Sequence, residues 1–281
     1  MSDFNLTIPG FTIACKSWGD KTLPPMLALH GWLDNAHSFA PMAPYLENKF
    51  HLIAVDLPGH GLSTHLAPGC NYHFIDGVFI IINIINALEL EKLHLLGHSM
   101  GACFASLIAG VIPDRIVSVS LIEALGPFSS PEETCCTQLA QYAEVYSEYN
   151  NKSGKPYPSL ELAAQARAKS GYLPMALARI LCQRGVEEVQ GQFYWRHDRR
   201  LIAPTPLRMT EMQIISCLTA ISAKTCLIWA DNGFEFNESE MQKRVNAVKN
   251  IIVHQIAGGH HLHMEKPDVT VERLVAFYNA L

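Results

Sequence analysis

The residues around Ser99 constrain the fold more than any other stretch of the chain. An apolar run at 92–96 leads into Gly97-His98-Ser99-Met100-Gly101, and the small and apolar run 102–107 follows. A strand that turns directly into a helix leaves little room, and a glycine two positions before and two positions after the serine avoids a collision. The stretch therefore predicts a sharp strand–turn–helix that lifts the Ser99 hydroxyl above the sheet. Ser99 as a helix cap in an ordinary loop is disfavoured, because strand and helix both stand where the motif requires them.

Elsewhere the chain alternates short apolar runs with segments of helical length. This alternation predicts an α/β protein with a mostly parallel eight-stranded sheet flanked by helices. The predicted strands are 4–8, 12–18, 26–30, 50–56, 92–97, 116–123, 224–231 and 251–256. The predicted helices of this core are 39–47, 74–88, 100–110, 240–248 and 267–280.

The alternation stops between residues 127 and 212. This stretch is rich in Ala, Gln, Glu and Arg at helical spacing and shows no convincing strand. It predicts a helical cap inserted between the sixth and seventh strands of the sheet, with 1–126 and 213–281 forming the core. An insertion there lies over the carboxyl edge of the sheet, where open α/β sheets bind ligands, so it is a candidate lid.

Composition excludes several classes of partner. Hydrophobic residues make up 49% of the 281 residues and charged residues 17%, which is typical of a compact globular protein. A net charge of -5 offers no basic surface for nucleic acid. The most apolar stretch, 78–85, is interrupted by Asn83 and is too short to cross a bilayer. We therefore expect neither a nucleic-acid nor a membrane partner, and the sequence does not indicate an oligomeric state.

The first residues and the cysteines bear on the compartment. The N-terminal residues lack the basic start and apolar run of a secretory signal. The eight cysteines form neither a CxxC pair nor a zinc spacing, which favours free thiols in a reducing environment. We expect a cytoplasmic protein with no cofactor.

These motifs resemble those of the α/β-hydrolase superfamily over nearly the whole chain outside the insertion. Leu29-His30-Gly31-Trp32 is similar to the family's H-G-x oxyanion loop. The resemblance implies that the backbone N–H groups of Trp32 and Met100 face one developing negative charge. The turn at 56–63 is similar to the family's D-x-P-G-x-G-x-S turn, which is architectural, so Asp56 and His60 are given no chemical role.

A serine hydroxyl is a weak nucleophile and needs a base within hydrogen-bond reach. The spacing G-H-x-x-x-x-E-x-P at 259–267 resembles the family's terminal signature and selects His260 as that base. His261 and His263 are interpreted as lid or pocket contacts, or as solvated loop residues. A metal site at His260, His261 and His263 is not expected, because no carboxylate or cysteine lies nearby at ligand spacing.

Two carboxylates compete to orient the base. The family's acid usually lies a few residues past the strand 224–230, but that place holds glycine here, and Asp231 could serve only in a reshaped turn. Some members carry the acid at the end of the next strand after the helix that follows the nucleophile, where this chain has Glu123. Either carboxylate could orient an imidazolium, and the sequence leaves both open.

The chemistry follows from the serine. Relatives with an aspartate nucleophile, the haloalkane dehalogenases and epoxide hydrolases, are excluded, and the pattern most resembles the serine-hydrolase-like proteins. The resemblance implies a serine hydrolase, carboxylesterase-like, that acts on a small-molecule ester-like or other acyl substrate through a Ser-His-acid triad and an acyl-enzyme. A small-molecule receptor on the same fold and a cofactor-free perhydrolase remain as alternatives.

Aromatic residues are the candidates for the substrate pocket. Trp32, Phe128 and Tyr142 are the predicted substrate contacts, and the insertion adds three tyrosines, at positions 146, 149 and 172. They predict an apolar or aromatic acyl group of modest size.

Overall fold

An eight-stranded sheet runs through the centre of the structure, a computed structural model that describes residues 1–151, 154–171 and 173–281. The eight predicted strands all lie in this sheet, and they are β1 Ser2–Ile8, β2 Phe11–Trp18, β3 Pro25–Leu29, β4 His51–Val55, β5 Leu93–His98, β6 Ile116–Ile122, β9 Lys224–Asn232 and β10 Ile251–Gly259. Their order in the sheet is β1-β2-β4-β3-β5-β6-β9-β10, and only the pairs β1–β2 and β2–β4 are antiparallel. The mostly parallel α/β fold is therefore confirmed.

Helices cover both faces of the sheet. Alternate side chains of a strand point to opposite faces, so Leu27 and Leu29 of β3 enter one apolar core while Met26 and Ala28 enter the other. The first core is closed by α2 Phe74–Ala87, α3 Met100–Val111, α7 Glu211–Thr219 and α8 Glu238–Ala247. The second is closed by α1 Ala43–Leu46 and α10 Pro267–Tyr278. A short helix, α9 Leu262–Glu265, precedes α10.

The predicted helix at 39–47 is wrong as one element. The structure has a 3-10 turn at Ala36–Phe39 and then the single-turn α1. Pro41 and Pro44 lack the N–H groups that a continuous helix needs at these positions, which explains the break.

The described part of the segment between β6 and α7 contains three α-helices and a hairpin. The helices are α4 Cys135–Asn151, α5 Leu160–Gly171 and α6 Met175–Gly185. The expectation of no strand here is wrong, because β7 Val186–Val189 and β8 Gln192–Trp195 pair in an antiparallel hairpin. Gln190 and Gly191 turn the chain with φ of 52° and 75°, as a tight two-residue hairpin turn requires. Exposed charges on β7 hide this hairpin from a hydrophobicity pattern.

Some predictions about this segment fall on residues that the structure does not describe. Tyr172, one of the tyrosines considered for the pocket, lies outside the described residues, as do positions 152 and 153.

Within the described ranges, no helix has the length and apolar character needed to cross a membrane. The eight cysteines form no disulfide among these residues.

A buried ion pair ties α6 to the sheet. Arg184 of α6 donates through Nε to Asp56 Oδ2 at 2.7 Å and through Nη1 to Asp3 Oδ1 at 2.8 Å. Asp56 is fully buried at the end of β4 and also accepts the backbone N–H groups of Ala36 and Leu62. Asp56 thus organises two loops and an insertion helix, in agreement with an architectural role.

Replacing Arg184 should destabilise the protein strongly. Arg184→Met removes the cation from a buried pair and leaves the charge of Asp56 uncompensated, which typically costs about 3–5 kcal/mol. Arg179 on the same helix pairs with Glu161 at the surface, so Arg179→Met is the matched control and should change little. Urea unfolding of the three proteins measures the difference. Equal losses in the two variants would contradict the assignment.

Candidate active site

Ser99 occupies a strained turn between β5 and α3. Its backbone has φ 51° and ψ −117°, a conformation that non-glycine residues rarely adopt. A Cβ atom on Gly97 would collide with the backbone of Gly101, and one on Gly101 would collide with the carbonyl of Leu29. The Ser99 N–H donates to the carbonyl of Ile122 at 2.8 Å. These contacts press the start of α3 against β3 and β6 and fix the position of the hydroxyl.

His260 lies between Ser99 and Glu123. Its Nε2 is 3.0 Å from Ser99 Oγ, and its Nδ1 is 3.0 Å from Glu123 Oε2. A carboxylate accepts hydrogen bonds, so Nδ1 carries the proton and Nε2 presents a lone pair to the serine hydroxyl. The three side chains form one hydrogen-bonded chain in the order that activates a hydroxyl.

The carboxylate of Glu123 is held from several directions. Glu123 follows β6 with φ 64° and is 1% exposed. Its Oε1 accepts the N–H of Ala230 at 2.5 Å, and its Oε2 accepts that of Phe234 at 3.0 Å. A Cβ on Gly233 would collide with this carboxylate. The glycine at the place where the family usually has its acid therefore makes room for an acid from another strand.

Asp231, the other candidate acid, lies elsewhere. Its Oδ1 accepts the Gly258 N–H at 2.8 Å and the Asn232 amide at 2.9 Å. The hydrogen bond from Gly258, helped by those from Asn232, lowers the pKa of the Asp231 carboxyl. Within the described residues no hydrogen bond or ion pair joins Asp231 to His260. The structure brings Glu123, and not Asp231, to the imidazole.

The sharp turn between β5 and α3 at residues 97–101 is called the elbow here. The predicted oxyanion donors lie on the two segments that meet at this elbow. Met100 is the first residue of α3, so its N–H has no partner inside the helix and lies at the positive end of the helix dipole. Trp32 follows Gly31 in the loop after β3. A Cβ on Gly31 would lie 2.8 Å from Nδ1 of His98, the residue before Ser99, so this loop packs directly against the elbow.

The histidine of the same loop is structural. His30 Nε2 accepts the Leu57 N–H at 3.0 Å, and its Nδ1 lies 2.7 Å from the Gly31 carbonyl. Burial lowers the pKa of His30 to about 4, which keeps the ring neutral at physiological pH. The neutral ring can then accept at Nε2 while it donates at Nδ1, so it fixes the loop that carries Trp32.

Aromatic rings border His260 on one side. The ring centre of Phe234 lies 5.9 Å from that of His260 and 5.4 Å from that of Phe128, with the rings tilted, and Phe128 and Phe234 are each about half exposed. Trp32 is also about half exposed, and its indole Nε1 donates to the Leu201 carbonyl at 3.0 Å. The sequence analysis missed Phe234, although its place next to Gly233 was the available signal.

Tyr142 is a predicted pocket residue that the structure does not bring to the aromatic rings beside His260. Its ring lies 6.4 Å from that of His73 and 5.8 Å from that of Tyr146. In the described part of the chain no ring contact or hydrogen bond connects Tyr142 with Ser99 or His260.

A buried cluster next to His260 could offer metal ligands. Asp34, His98 and His261 present three ligand atoms that all lie within 4.8 Å of one another. Asp34 is far from His261 in sequence, so spacing alone could not reveal this carboxylate. However, Arg167 Nη2 donates to Asp34 Oδ1 at 2.5 Å and neutralises it. A divalent cation placed beside that guanidinium would be repelled, so the charge of the cluster disfavours a metal.

Comparisons with known proteins bear on the fold and the family of the chain. A family model described as the alpha/beta hydrolase fold matches residues 24–167. A serine hydrolase-like protein from Dictyostelium discoideum is 30% identical, over 95% of this chain and 79% of its own length. A hypothetical protein from Pseudomonas aeruginosa PAO1 is 32% identical with a TM-score of 0.93, covering 100% of both chains. A thioesterase domain from the curacin biosynthetic pathway is 26% identical with a TM-score of 0.85, over 98% of this chain and 99% of that one.

The two candidate acids can be separated by matched substitutions. Glu123→Gln should slow the reaction of Ser99 with a fluorophosphonate probe by as much as about 10⁴-fold, because the amide no longer fixes the tautomer or stabilises the imidazolium of His260. Asp231→Asn removes the other carboxylate in the same way and should leave the rate nearly unchanged. Labelling rates measured by intact mass test this. A large loss in Asp231→Asn with little in Glu123→Gln would contradict the assignment.

Proposed function

This chain belongs to the α/β-hydrolase family, and from that premise we propose that it is a serine hydrolase acting on an ester-like acyl substrate. The family and the serine hydrolase-like relatives support a hydrolase. The observation that carries the finer proposal is the hydrogen-bonded chain from Ser99 through His260 to Glu123.

In the first half of the proposed reaction, Ser99 Oγ attacks the carbonyl carbon of the substrate. His260 Nε2 takes the hydroxyl proton, and the Glu123 carboxylate stabilises the imidazolium that results. The backbone N–H groups of Met100 and Trp32 donate to the oxyanion, and losing one such donor typically costs about 3–4 kcal/mol of transition-state stabilisation. His260 then protonates the leaving alkoxide or thiolate, and an acyl-enzyme remains on Ser99.

The second half returns the enzyme to its resting state. A water molecule takes the place of the leaving group, and His260 removes one of its protons as it attacks the acyl carbon. The tetrahedral intermediate collapses, the carboxylic acid leaves, and Ser99 regains its proton from His260. The atoms balance as hydrolysis of one acyl bond by one water.

The partly exposed rings of Phe234 and Phe128 form an aromatic rim beside the site, and this rim favours a substrate with an apolar acyl group. Phe234 offers a partly exposed ring next to His260, where an acyl group bound to Ser99 would extend, and Phe128 packs against Phe234. Burying apolar surface against such rings contributes roughly 25 cal/mol per Å² of contact. We further propose that residues 127–212 form the cap over this site. Trp32, through its bond to Leu201, connects the site with that segment.

Removing the nucleophile should abolish both labelling and turnover. Ser99→Ala leaves no hydroxyl to attack, so fluorophosphonate labelling and p-nitrophenyl ester hydrolysis should fall to background. Ser222→Ala changes an exposed serine and serves as the control. Labelling that persists in Ser99→Ala would defeat the proposal. One acyl group bound per chain with no further turnover would favour the receptor alternative instead.

The rim should decide chain-length preference. A panel of acetyl, butyryl, hexanoyl and benzoyl p-nitrophenyl esters should show kcat/KM rising from acetyl to the larger acyl groups. Phe234→Ala should reduce that preference by about 10-fold, since one aromatic contact is worth on the order of 1–1.5 kcal/mol. The acetyl ester is the internal control and should be nearly unaffected. An equal loss on every ester would mean that Phe234 does not contact the acyl group.

A further inference from the structure

A second buried carboxylate reaches the loop that carries His260. Asp34 lies on the loop after β3 and is 2% exposed. Its Oδ2 is 3.3 Å from His261 Nε2 and 3.7 Å from His98 Nδ1. His261 follows His260 in the chain, and His98 precedes Ser99. One carboxylate therefore faces the chain neighbours of both the base and the nucleophile.

His98 connects the two halves of the catalytic pair through the backbone. Its Nε2 lies 2.9 Å from the carbonyl oxygen of His260. A carbonyl only accepts, so Nε2 carries the proton and donates it. The His98 ring is fully buried and packs 4.0 Å from the ring of His263, whose Nε2 bonds to Ser38 Oγ at 2.7 Å. The peptide that follows His260 is thus held on one side by His98 and on the other by the contact of His261 with Asp34.

We propose that Asp34 is a positioning residue for the catalytic pair: its buried carboxylate fixes the peptide that carries the imidazole of His260. This inference rests on the hydrolase reaction proposed above. Glu123 acts directly on His260 Nδ1, whereas Asp34 acts through His261, the residue that follows His260. Asp34 touches none of the three triad side chains by hydrogen bond or ion pair within the described residues, so it is not a catalytic residue.

The insertion supplies the counter-ion of Asp34. Arg167 of α5 donates from Nη2 to Asp34 Oδ1 at 2.5 Å, and both side chains are largely withdrawn from water. Burial by itself raises the pKa of Asp34, but His261 and Arg167 outweigh it and hold the pKa well below its usual range. Asp34 is therefore ionised, and a helix of the insertion helps to order the catalytic loops.

The effect of losing this carboxylate should fall on the chemical step. Asp34→Asn keeps the size of the side chain but loses its charge, which weakens the contact with His261 and leaves the peptide at 260 held on one side only, by His98. A displacement of about 1 Å at a reacting group can cost on the order of 100-fold in rate. We expect kcat to fall about 10-fold to 100-fold, with KM changed by less than about twofold, because the aromatic rim is intact.

Charge balance must be separated from positioning. Asp34→Asn leaves Arg167 without its partner, and this alone could loosen the fold. The double variant Asp34→Asn/Arg167→Gln removes both charges and with them that penalty. Asp198→Asn is the matched control: Asp198 is also buried and paired with an arginine, Arg200, but bonds to Tyr72 rather than to the catalytic loops.

The experiment compares wild type, Asp34→Asn, the double variant and Asp198→Asn. It measures kcat and KM on a p-nitrophenyl ester, the fluorophosphonate labelling rate of Ser99, and the melting temperature. If Asp34 is a positioning residue, Asp34→Asn and the double variant should both be at least about 10-fold slower than wild type in kcat and in the labelling rate of Ser99. Asp198→Asn should keep the wild-type rates even where its melting temperature falls.

The possible failures are distinct. Recovery of kcat in the double variant would show that Asp34 only balances Arg167 and would overturn the positioning role. A wild-type rate in Asp34→Asn would overturn it as well, with the proposed hydrolase activity intact. Wild-type protein that neither labels at Ser99 nor turns over the ester would overturn the proposed function and this inference with it.

Discussion

The turn at Ser99 is the constraint on which the site depends. A residue held at φ 51° and ψ −117° is maintained only where surrounding contacts determine it fully. Here those contacts are the missing side chains of Gly97 and Gly101, which let α3 approach the backbone of β3, and the hydrogen bond from Ser99 to the end of β6. The turn places the Ser99 hydroxyl within hydrogen-bond reach of His260 and directly before Met100, the first residue of α3.

The remaining side chains of the site lie close to the turn at Ser99 because the carboxyl ends of parallel strands meet at the same edge of the sheet. The loops after β3, β6 and β10 bring Asp34, Glu123 and His260 to the elbow from distant parts of the sequence. Both carboxylates are buried, so their interactions with neighbouring groups are stronger than they would be in water. Glu123 is stabilised by backbone N–H groups and Asp34 by Arg167, and neither buried charge is left without compensation.

Local patterns predicted the parts of the structure that local chemistry determines. All eight sheet strands and the strand–turn–helix around Ser99 could be read from apolar runs and glycine spacing. The choice between Glu123 and Asp231 could not, because it depends on how the turn at 231–234 folds. In that turn Gly233 leaves room for the Glu123 carboxylate because it has no side chain, and the N–H of Phe234 donates a hydrogen bond to it. The Asp34–His261 contact joins residues that no periodicity relates, and the hairpin β7–β8 carries exposed charges that mask its alternation.

The proposed mechanism requires that Ser99 carry a covalent acyl group during turnover. The most direct measurement is rapid acid quenching of the wild-type protein during its first turnover of a chromogenic ester, followed by mass spectrometry of the intact chain and of its peptides. We expect a mass increase of one acyl group on the peptide that contains Ser99, and this adduct should decay at the rate of deacylation once substrate is exhausted. Ester turnover with no covalent adduct, or with the adduct on another residue, would contradict it.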